Sequence, residues 1–190
     1  MNKLQLRKLL AAMMLTAVAV FASAQAQTND NRFGASGALQ DAGYTLEEML
    51  EYALQDEFLA RAEYSAIIDA WSVDRPFSNI IRSEEQHIAA LTPLFEQHGI
   101  EMPEDTAGQH IVMPDSLTQA FSIGVEAEIK NIAMYEAFLS QDNLPDDVRW
   151  VFEALVRGSE NHLRAFEQGL ERETRLSGRN DTQRRGGPRR

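Results

Sequence analysis

Four segments of this chain carry hydrophobic residues at steps of three and four, which is the period of an amphipathic α-helix. Each apolar stripe is interrupted at one point by side chains that commonly bind metals. Because four such stripes can be buried only against one another, the pattern predicts an all-α fold built as a helical bundle. The interrupting residues are Glu57 in the first segment, Glu84 and His87 in the second, Glu128 in the third, and His162 in the fourth, with Ser159 one turn before it.

Capping signals and turn residues set the boundaries of these segments. Thr45 and Glu48 have the spacing of a capping box, so the first helix is predicted from Leu46 to Trp71. A turn at residues 74–76 precedes the second helix, which begins at Phe77 and ends near residue 98. The third helix carries its stripe over residues 121–139, and the fourth is entered through residues 145–147.

The lengths of the connections predict the topology. The first and second helices, and likewise the third and fourth, are separated by only a few residues, which favours two antiparallel hairpins. Residues 99–115 contain Pro103, Gly108 and Pro114 and show no helical period. Seventeen residues can span up to roughly 55 Å when extended, so this segment is predicted to be a long crossover between the hairpins.

The register of the first hairpin leaves two alternatives open. Glu57 lies 14 residues before Trp71, whereas Glu84 lies only 7 residues after Phe77. Either the first helix ends earlier than its stripe indicates, or the connector folds back along the bundle.

The interrupting residues have two interpretations. A buried carboxylate or imidazole is costly unless it is paired, and a shared metal ion satisfies several such groups at once. The alternative is a polar network without metal, in which Glu57 pairs with Arg61 and Glu84 with Arg82. The chain has no cysteine, so a metal would have oxygen and nitrogen ligands, which favours iron, manganese or zinc over copper(I) or an iron–sulfur cluster.

The N-terminal residues have the order of a secretory signal peptide. Lys3, Arg7 and Lys8 precede an apolar run over residues 9–22, and small residues follow at a cleavage-site spacing. We therefore predict a signal peptide over residues 1–24, a flexible linker over residues 25–44, and an exported protein that is periplasmic or secreted. An uncleaved N-terminal anchor is the alternative.

Charge is distributed unevenly along the chain. Residues 45–171 carry 25 acidic and 7 basic residues, a net charge of −18, so the folded domain is not expected to bind nucleic acid. Residues 172–190 carry 7 arginines and 2 acids, a net charge of +5. Their composition predicts a disordered basic tail, which either adds solubility or contacts an anionic surface such as lipid headgroups.

The interrupted stripes also resemble a known family. The sequence EFLARAEY at residues 57–64 is similar to the first-helix signature of the rubrerythrin branch of the ferritin-like superfamily, and EEQH at residues 84–87 resembles its Glu-x-x-His motif. GSENHLRAF at residues 158–166 is similar to the last helix of an exported bacterial ferritin-like family of unknown function. The resemblance implies a ferritin-like antiparallel four-helix bundle over residues 45–171, with two helix hairpins joined by a long crossover.

The resemblance further implies a role for each ligand. Glu57 and His87 would serve one metal ion, Glu128 and His162 a second, and Glu84 would bridge them. Iron is the implied metal, as one or two ions, with manganese or zinc as alternatives.

The fourth helix departs from the family pattern at Ser159, where a fourth glutamate is expected. Three glutamates do not neutralise two divalent ions, so the number of ions stays open. Glu160 is adjacent in sequence but about 100° around the helix. Tyr64, Ser159 and Glu160 are the candidates for side chains that support the ligands.

Three functions are compatible with this pattern. The first is an oxidoreductase in which an iron or manganese pair reacts with oxygen or peroxide. The second is a metal-binding or metal-handling module without turnover, and the third is a metal-free structural bundle. A rubredoxin-like module is excluded because the chain has no cysteine, and a homodimer is an open alternative to a monomer.

Overall fold

The computed structural model describes the backbone of residues 32–185 and the side chains of residues 32–176. The predicted signal peptide over residues 1–24 lies outside the described residues. The described part is all-α, with five α-helices and no strand: α1 (Gly34–Ala38), α2 (Leu46–Trp71), α3 (Phe77–Gln97), α4 (Leu117–Leu139) and α5 (Asp146–Arg185), with a short 3-10 helix at Ala107–Gln109. Among residues 32–185, no helix is both long enough and apolar enough to cross a membrane.

The boundaries of α2 agree with the prediction from its capping signal. The Thr45 hydroxyl accepts a hydrogen bond from the Glu48 backbone N–H at 3.2 Å, and the Glu48 carboxylate accepts one from the Thr45 backbone N–H at 2.7 Å. These two bonds satisfy backbone groups that the first turn of a helix otherwise leaves unpaired. The prediction that α2 runs from Leu46 to Trp71 is confirmed.

The register of the first hairpin is explained by the C-terminal end of α2. The helix does continue to Trp71, so the explanation that it ends early is wrong. Asp69, Ala70 and Trp71 are exposed, and Trp71 is 39% accessible although it lies on the apolar stripe. The last turn of α2 therefore extends beyond the packed part of the hairpin.

The predicted crossover runs along α2. Asp105 forms an ion pair with Arg61 at 2.6 Å, and the backbone N–H of Val112 donates to Glu63 at 3.5 Å. Between these contacts Ala107 is fully buried. The crossover therefore packs against α2 near Arg61 and Glu63, just after Glu57.

Part of the predicted flexible linker is a short helix that packs on α2. Ala35 and Ala38 of α1 are buried, and the backbone N–H groups of Gly34 and Ala35 donate to Gln55 (3.1 Å) and Asp56 (2.7 Å). The small residues of this segment allow its backbone to approach α2 closely, and the polar side chains of α2 satisfy the start of α1. The structure thus corrects the prediction for residues 34–38.

The basic segment after residue 171 also differs from the prediction of disorder. Helix α5 continues through this segment as far as Arg185, and residues 186–190 lie outside the described part. Arg175 pairs with Glu171 one turn earlier, a contact that supports an exposed helix. The prediction of disorder rested on the composition of the tail, which does not take the spacing of Glu171 and Arg175 into account.

A polar layer divides the hydrophobic core in two. One apolar cluster contains Leu50, Leu91, Phe138 and Phe152, and the other contains Tyr64, Ile67, Phe77, Phe121 and Phe166. Between them lie the buried polar side chains, which are Glu57, Glu84, His87, Glu128, Asn131, Ser159 and His162.

Candidate metal centre

The five predicted ligand residues are buried in the polar layer. The accessible fraction is 1% for Glu57, 2% for Glu84, 3% for Glu128, 6% for His162 and 8% for His87. Helices α2, α3, α4 and α5 each contribute at least one of these side chains. An unpaired buried charge costs several kcal/mol. The charges of these residues are therefore stable only if the residues contact one another or a bound cation.

His87 connects two of the glutamates. Its Nδ1 lies 3.0 Å from Oε2 of Glu57 and 2.9 Å from Oε2 of Glu84. Glu84 and His87 are three residues apart on α3 and therefore project from the same face of the helix.

His162 makes the corresponding contacts from α5. Its Nδ1 lies 3.1 Å from Oε1 of Glu84 and 3.5 Å from Oε1 of Glu128. This nitrogen is buried, yet neither contact has the orientation of a hydrogen bond. The two imidazole rings lie side by side, with centroids 5.5 Å apart.

Two buried tyrosines hold the outer glutamates. The Tyr135 hydroxyl donates a hydrogen bond to Oε1 of Glu57 at 2.7 Å, and the Tyr64 hydroxyl donates to Oε1 of Glu128 at 3.2 Å. Each helix of the α2–α4 pair thus supplies one carboxylate and one phenol to the other. Tyr64 was predicted from the sequence as a supporting residue, whereas Tyr135 was not.

These contacts have an approximate two-fold symmetry that was not predicted from the sequence. Glu57 and Tyr64 are seven residues apart on α2, and Glu128 and Tyr135 are seven apart on α4. In the same way, SEEQH at residues 83–87 corresponds to GSENH at residues 158–162. A comparison of the two hairpins within the sequence would have revealed this correspondence, including the pairing of Glu84 with Ser159.

Ser159 contacts Asn131, a buried polar residue that is not among the predicted ligands. Its Oγ lies 2.5 Å from Oδ1 of Asn131, whose Nδ2 donates to Oδ2 of Asp56 at 2.7 Å. Neither Asn131 nor Asp56 was predicted from the sequence, although Asn131 lies one turn after Glu128 on the same face of α4. Glu160 is exposed on α5, so the structure excludes this predicted supporting residue from the layer.

Gly158 is needed for the position of His87. A Cβ atom added to this glycine would lie 2.4 Å from Nε2 of His87. The missing side chain therefore makes room for the imidazole where α5 passes α3. The same Nε2 atom of His87 lies 3.4 Å from the Ser83 hydroxyl.

A family model covers this whole arrangement. The family is described as "Uncharacterized protein domain (DUF2202)", and its model matches residues 47–178, which include all five predicted ligands. The chain belongs to this family. The chain is also 30% identical over 128 residues to the uncharacterized protein MJ0754 of Methanocaldococcus jannaschii, an alignment that covers 59% of this chain and 68% of that protein. No solved structure matches the chain.

Burial and mutual contacts shift the pKa of every predicted ligand in this DUF2202 domain. Burial raises the pKa of Glu57 to about 8 and that of Glu128 to about 7. Burial also acts to raise the pKa of Glu84, but the two neighbouring histidines lower it to about 2. Burial acts in the opposite direction on the histidines, and the neighbouring carboxylates raise the pKa of His87 to about 10 and that of His162 to about 9. Protons and a metal cation therefore compete for the same atoms.

The residues fit a metal ion in chemistry and in spacing. Two ligand atoms that bind one ion at about 2.1 Å and at a right angle lie about 3.0 Å apart, close to the separations between each Nδ1 and its carboxylates. One ligand atom from each of Glu84, His87 and His162 can be chosen so that all three lie within 4.8 Å of one another. The buried Nδ1 of His162 has no hydrogen bond, and this free nitrogen is the observation that fits a metal ligand most directly.

Proposed function

We propose that this protein is a ferritin-like metal-binding protein whose centre is formed by Glu57, Glu84, His87, Glu128 and His162. The observation that carries the proposal is the convergence of both imidazole Nδ1 atoms on Glu84, with one further glutamate beside each imidazole. Two hairpins joined by a long crossover, with ligands from four helices, support the ferritin-like interpretation of the bundle.

Oxygen and nitrogen ligands of this kind suit iron and manganese, with zinc as the alternative. Each residue has a defined task in this proposal. Glu84 lies between the histidines and bridges the two halves of the centre, while Glu57 and Glu128 complete them. Tyr135 and Tyr64 hold one oxygen of each outer glutamate and so fix the direction of the other oxygen.

Metal content of the purified full-length chain tests this proposal. After loading with Fe²⁺ without oxygen, or with Mn²⁺, we expect at least one tightly bound ion per chain by elemental analysis. Glu84→Gln should weaken binding by at least about 100-fold, because it removes the carboxylate that both histidines contact. The matched control is Glu85→Gln, the exposed neighbour on α3, which should bind as the wild type does.

The result that contradicts the proposal is equally specific. If the wild type binds no divalent ion and its melting temperature is the same with and without added metal, the polar layer is a metal-free structural network. Equal affinity in Glu84→Gln and Glu85→Gln would place the metal elsewhere in the chain.

A redox function on oxygen or peroxide is the activity that we propose for the loaded centre. A bound iron or manganese pair would supply the electron-transfer chemistry. Burial of all five ligands favours this activity over simple storage, because a water-poor site protects reactive species from side reactions. Consumption of hydrogen peroxide in the presence of a chemical reductant would support it, and tight metal binding without turnover would leave a metal-handling module.

Export of the protein also remains a proposal that rests on residues 1–24. Cell fractionation followed by N-terminal sequencing of the mature chain tests it, since a cleaved chain is expected to begin near residue 25 or 27. An intact N-terminus in the membrane fraction would instead support an uncleaved anchor.

A further inference from the structure

The two-fold correspondence of the centre fails at Ser159. Glu84 on α3 contacts both histidines, whereas its counterpart on α5 carries no charge and faces Asn131 instead. The three glutamates of the centre provide a charge of −3, which is one short of the charge that two divalent cations require.

A small cavity lies beside the glutamates, on the side of the layer that includes Asn131. Its volume is about 10 Å³, which is room for one species of the size of a water molecule or a metal ion. Glu57, Glu84 and Glu128 line it, and so does a fourth carboxylate, Asp56. No basic side chain lines this cavity among the described residues.

The two-fold correspondence between α2 and α4 also fails in the cavity wall, at Asp56 and at Asn131. Asp56 directly precedes Glu57, and its counterpart before Glu128 is Ala127. Asn131 lies three residues after Glu128, and its counterpart after Glu57 is Ala60. Ser159 thus lies beside an amide and, through it, a carboxylate, whereas the positions that correspond to these two residues carry alanines.

The hydrogen bonds of Asp56 fix the position of its carboxylate but leave each oxygen able to accept a further contact. Oδ1 accepts from the Ala35 backbone N–H and Oδ2 accepts from Nδ2 of Asn131, both at 2.7 Å. Each carboxylate oxygen has a second lone pair that can bind a cation. The contact between Ser159 and Oδ1 of Asn131 orients the amide so that its NH₂ group faces Asp56.

We propose that Asp56, positioned by Asn131 and Ser159, supplies the fourth carboxylate of the centre, and that the centre consequently holds two divalent cations. This inference rests on the proposed function. Four carboxylates and two neutral imidazoles balance two divalent cations, and burial in a low-dielectric layer requires such a balance. The buried Nδ1 of His162 without a hydrogen bond supports a cation beside Glu84 and Glu128, two of the glutamates that line the same cavity as Asp56.

The test is the number of Mn²⁺ ions bound per folded chain, measured by equilibrium dialysis and elemental analysis. We expect two ions in the full-length wild type and one in Asp56→Asn, which keeps the size of the side chain and removes its charge. Asp69→Asn is the matched control, because Asp69 is exposed on the same helix, and it should bind two ions.

Each outcome separates this inference from the proposed function. One ion per wild-type chain overturns the role of Asp56 but leaves a metal-binding protein, whereas no bound ion overturns both. Two ions in Asp56→Asn at wild-type affinity also overturns the role of Asp56.

A second variant keeps the inference testable if Asp56→Asn does not fold, as judged by circular dichroism. Asn131→Ala removes the amide that orients Asp56 and should weaken the second Mn²⁺ site by about 10–100-fold. Unchanged affinity for both ions in that variant contradicts the positioning of Asp56 by Asn131.

Discussion

At the scale of single residues, the centre is a set of charges that are stable only because each one has partners. Glu57 and Glu128 are buried between the two apolar clusters, and each combines an imidazole contact with a hydrogen bond from a phenol of the opposite helix. Removal of one partner leaves a buried acceptor unsatisfied, which costs about 1–3 kcal/mol. The supporting phenols should therefore affect both stability and metal binding.

We predict that Tyr135→Phe weakens metal binding by about 10–100-fold and lowers the free energy of unfolding by about 1–3 kcal/mol. Tyr64→Phe should have the smaller effect, because its hydrogen bond is 3.2 Å long and that of Tyr135 is 2.7 Å. The measurements are competition binding with Mn²⁺ and denaturant unfolding. Tyr52→Phe is the control, since its hydroxyl contacts Asp41 outside the centre. Wild-type affinity in both ligand-facing variants would show that the phenols only pack.

At the scale of helices, the close approach of α5 to its neighbours depends on glycines. Gly158 lies against His87 of α3, and Gly169 lies against Phe121 of α4. At both positions an added Cβ would come within 2.4 Å or less of a ring atom. The two sites therefore present similar steric problems, but only one of them involves a ligand of the centre.

We predict that Gly158→Ala and Gly169→Ala each destabilise the protein by about 1–3 kcal/mol, because both overpack a helix contact. Only Gly158→Ala should also weaken metal binding, by displacing the His87 ring. Thermal unfolding and metal titration of the two variants distinguish these effects. An equal loss of affinity in both would mean that the centre responds to general loosening of α5 rather than to the position of His87.

The sequence predicted the helices well because their signals are local. The period of the apolar stripe and the capping box at Thr45 gave the start of α2, and the same stripe gave its end at Trp71. The exposure of Trp71 and the packing of α1 on α2 were not predictable in this way. The exposure of Trp71 and the position of α1 both depend on contacts between different elements. A periodic pattern within one helix does not encode such contacts.

At the scale of the whole molecule, the metal-free centre couples stability to pH. The pKa of His87 is raised to about 10 and that of His162 to about 9, so their contribution is present below pH 6.5 and is lost as pH rises through these values. Burial raises the pKa of Glu57 and Glu128 as well, so the folded chain also binds protons at these sites that the unfolded chain has released. The pKa of Glu84 is lowered to about 2, so its contribution is lost only when pH falls below 4.5.

We therefore predict that the melting temperature of the chelator-treated protein falls steadily between about pH 6 and pH 10. Added Mn²⁺ should raise the melting temperature more at about pH 8 than at about pH 6, because the cation displaces protons from the ligands. The double variant His87→Gln, His162→Gln should lose most of this slope. A melting temperature that is constant or rises over this range in the metal-free wild type would contradict the prediction.

The amino-acid sequence by itself determined the helical class, the four long helices and the five candidate ligands, because helix period and residue type are local properties of the chain. Only the tertiary structure decided how these ligands are paired, and it added Tyr135, Asn131 and Asp56 to their surroundings. These contacts join residues 75 or more positions apart in sequence. Such neighbours are set by the register between packed helices, and a shift of one residue along a helix would rotate each of them by about 100° away from the centre.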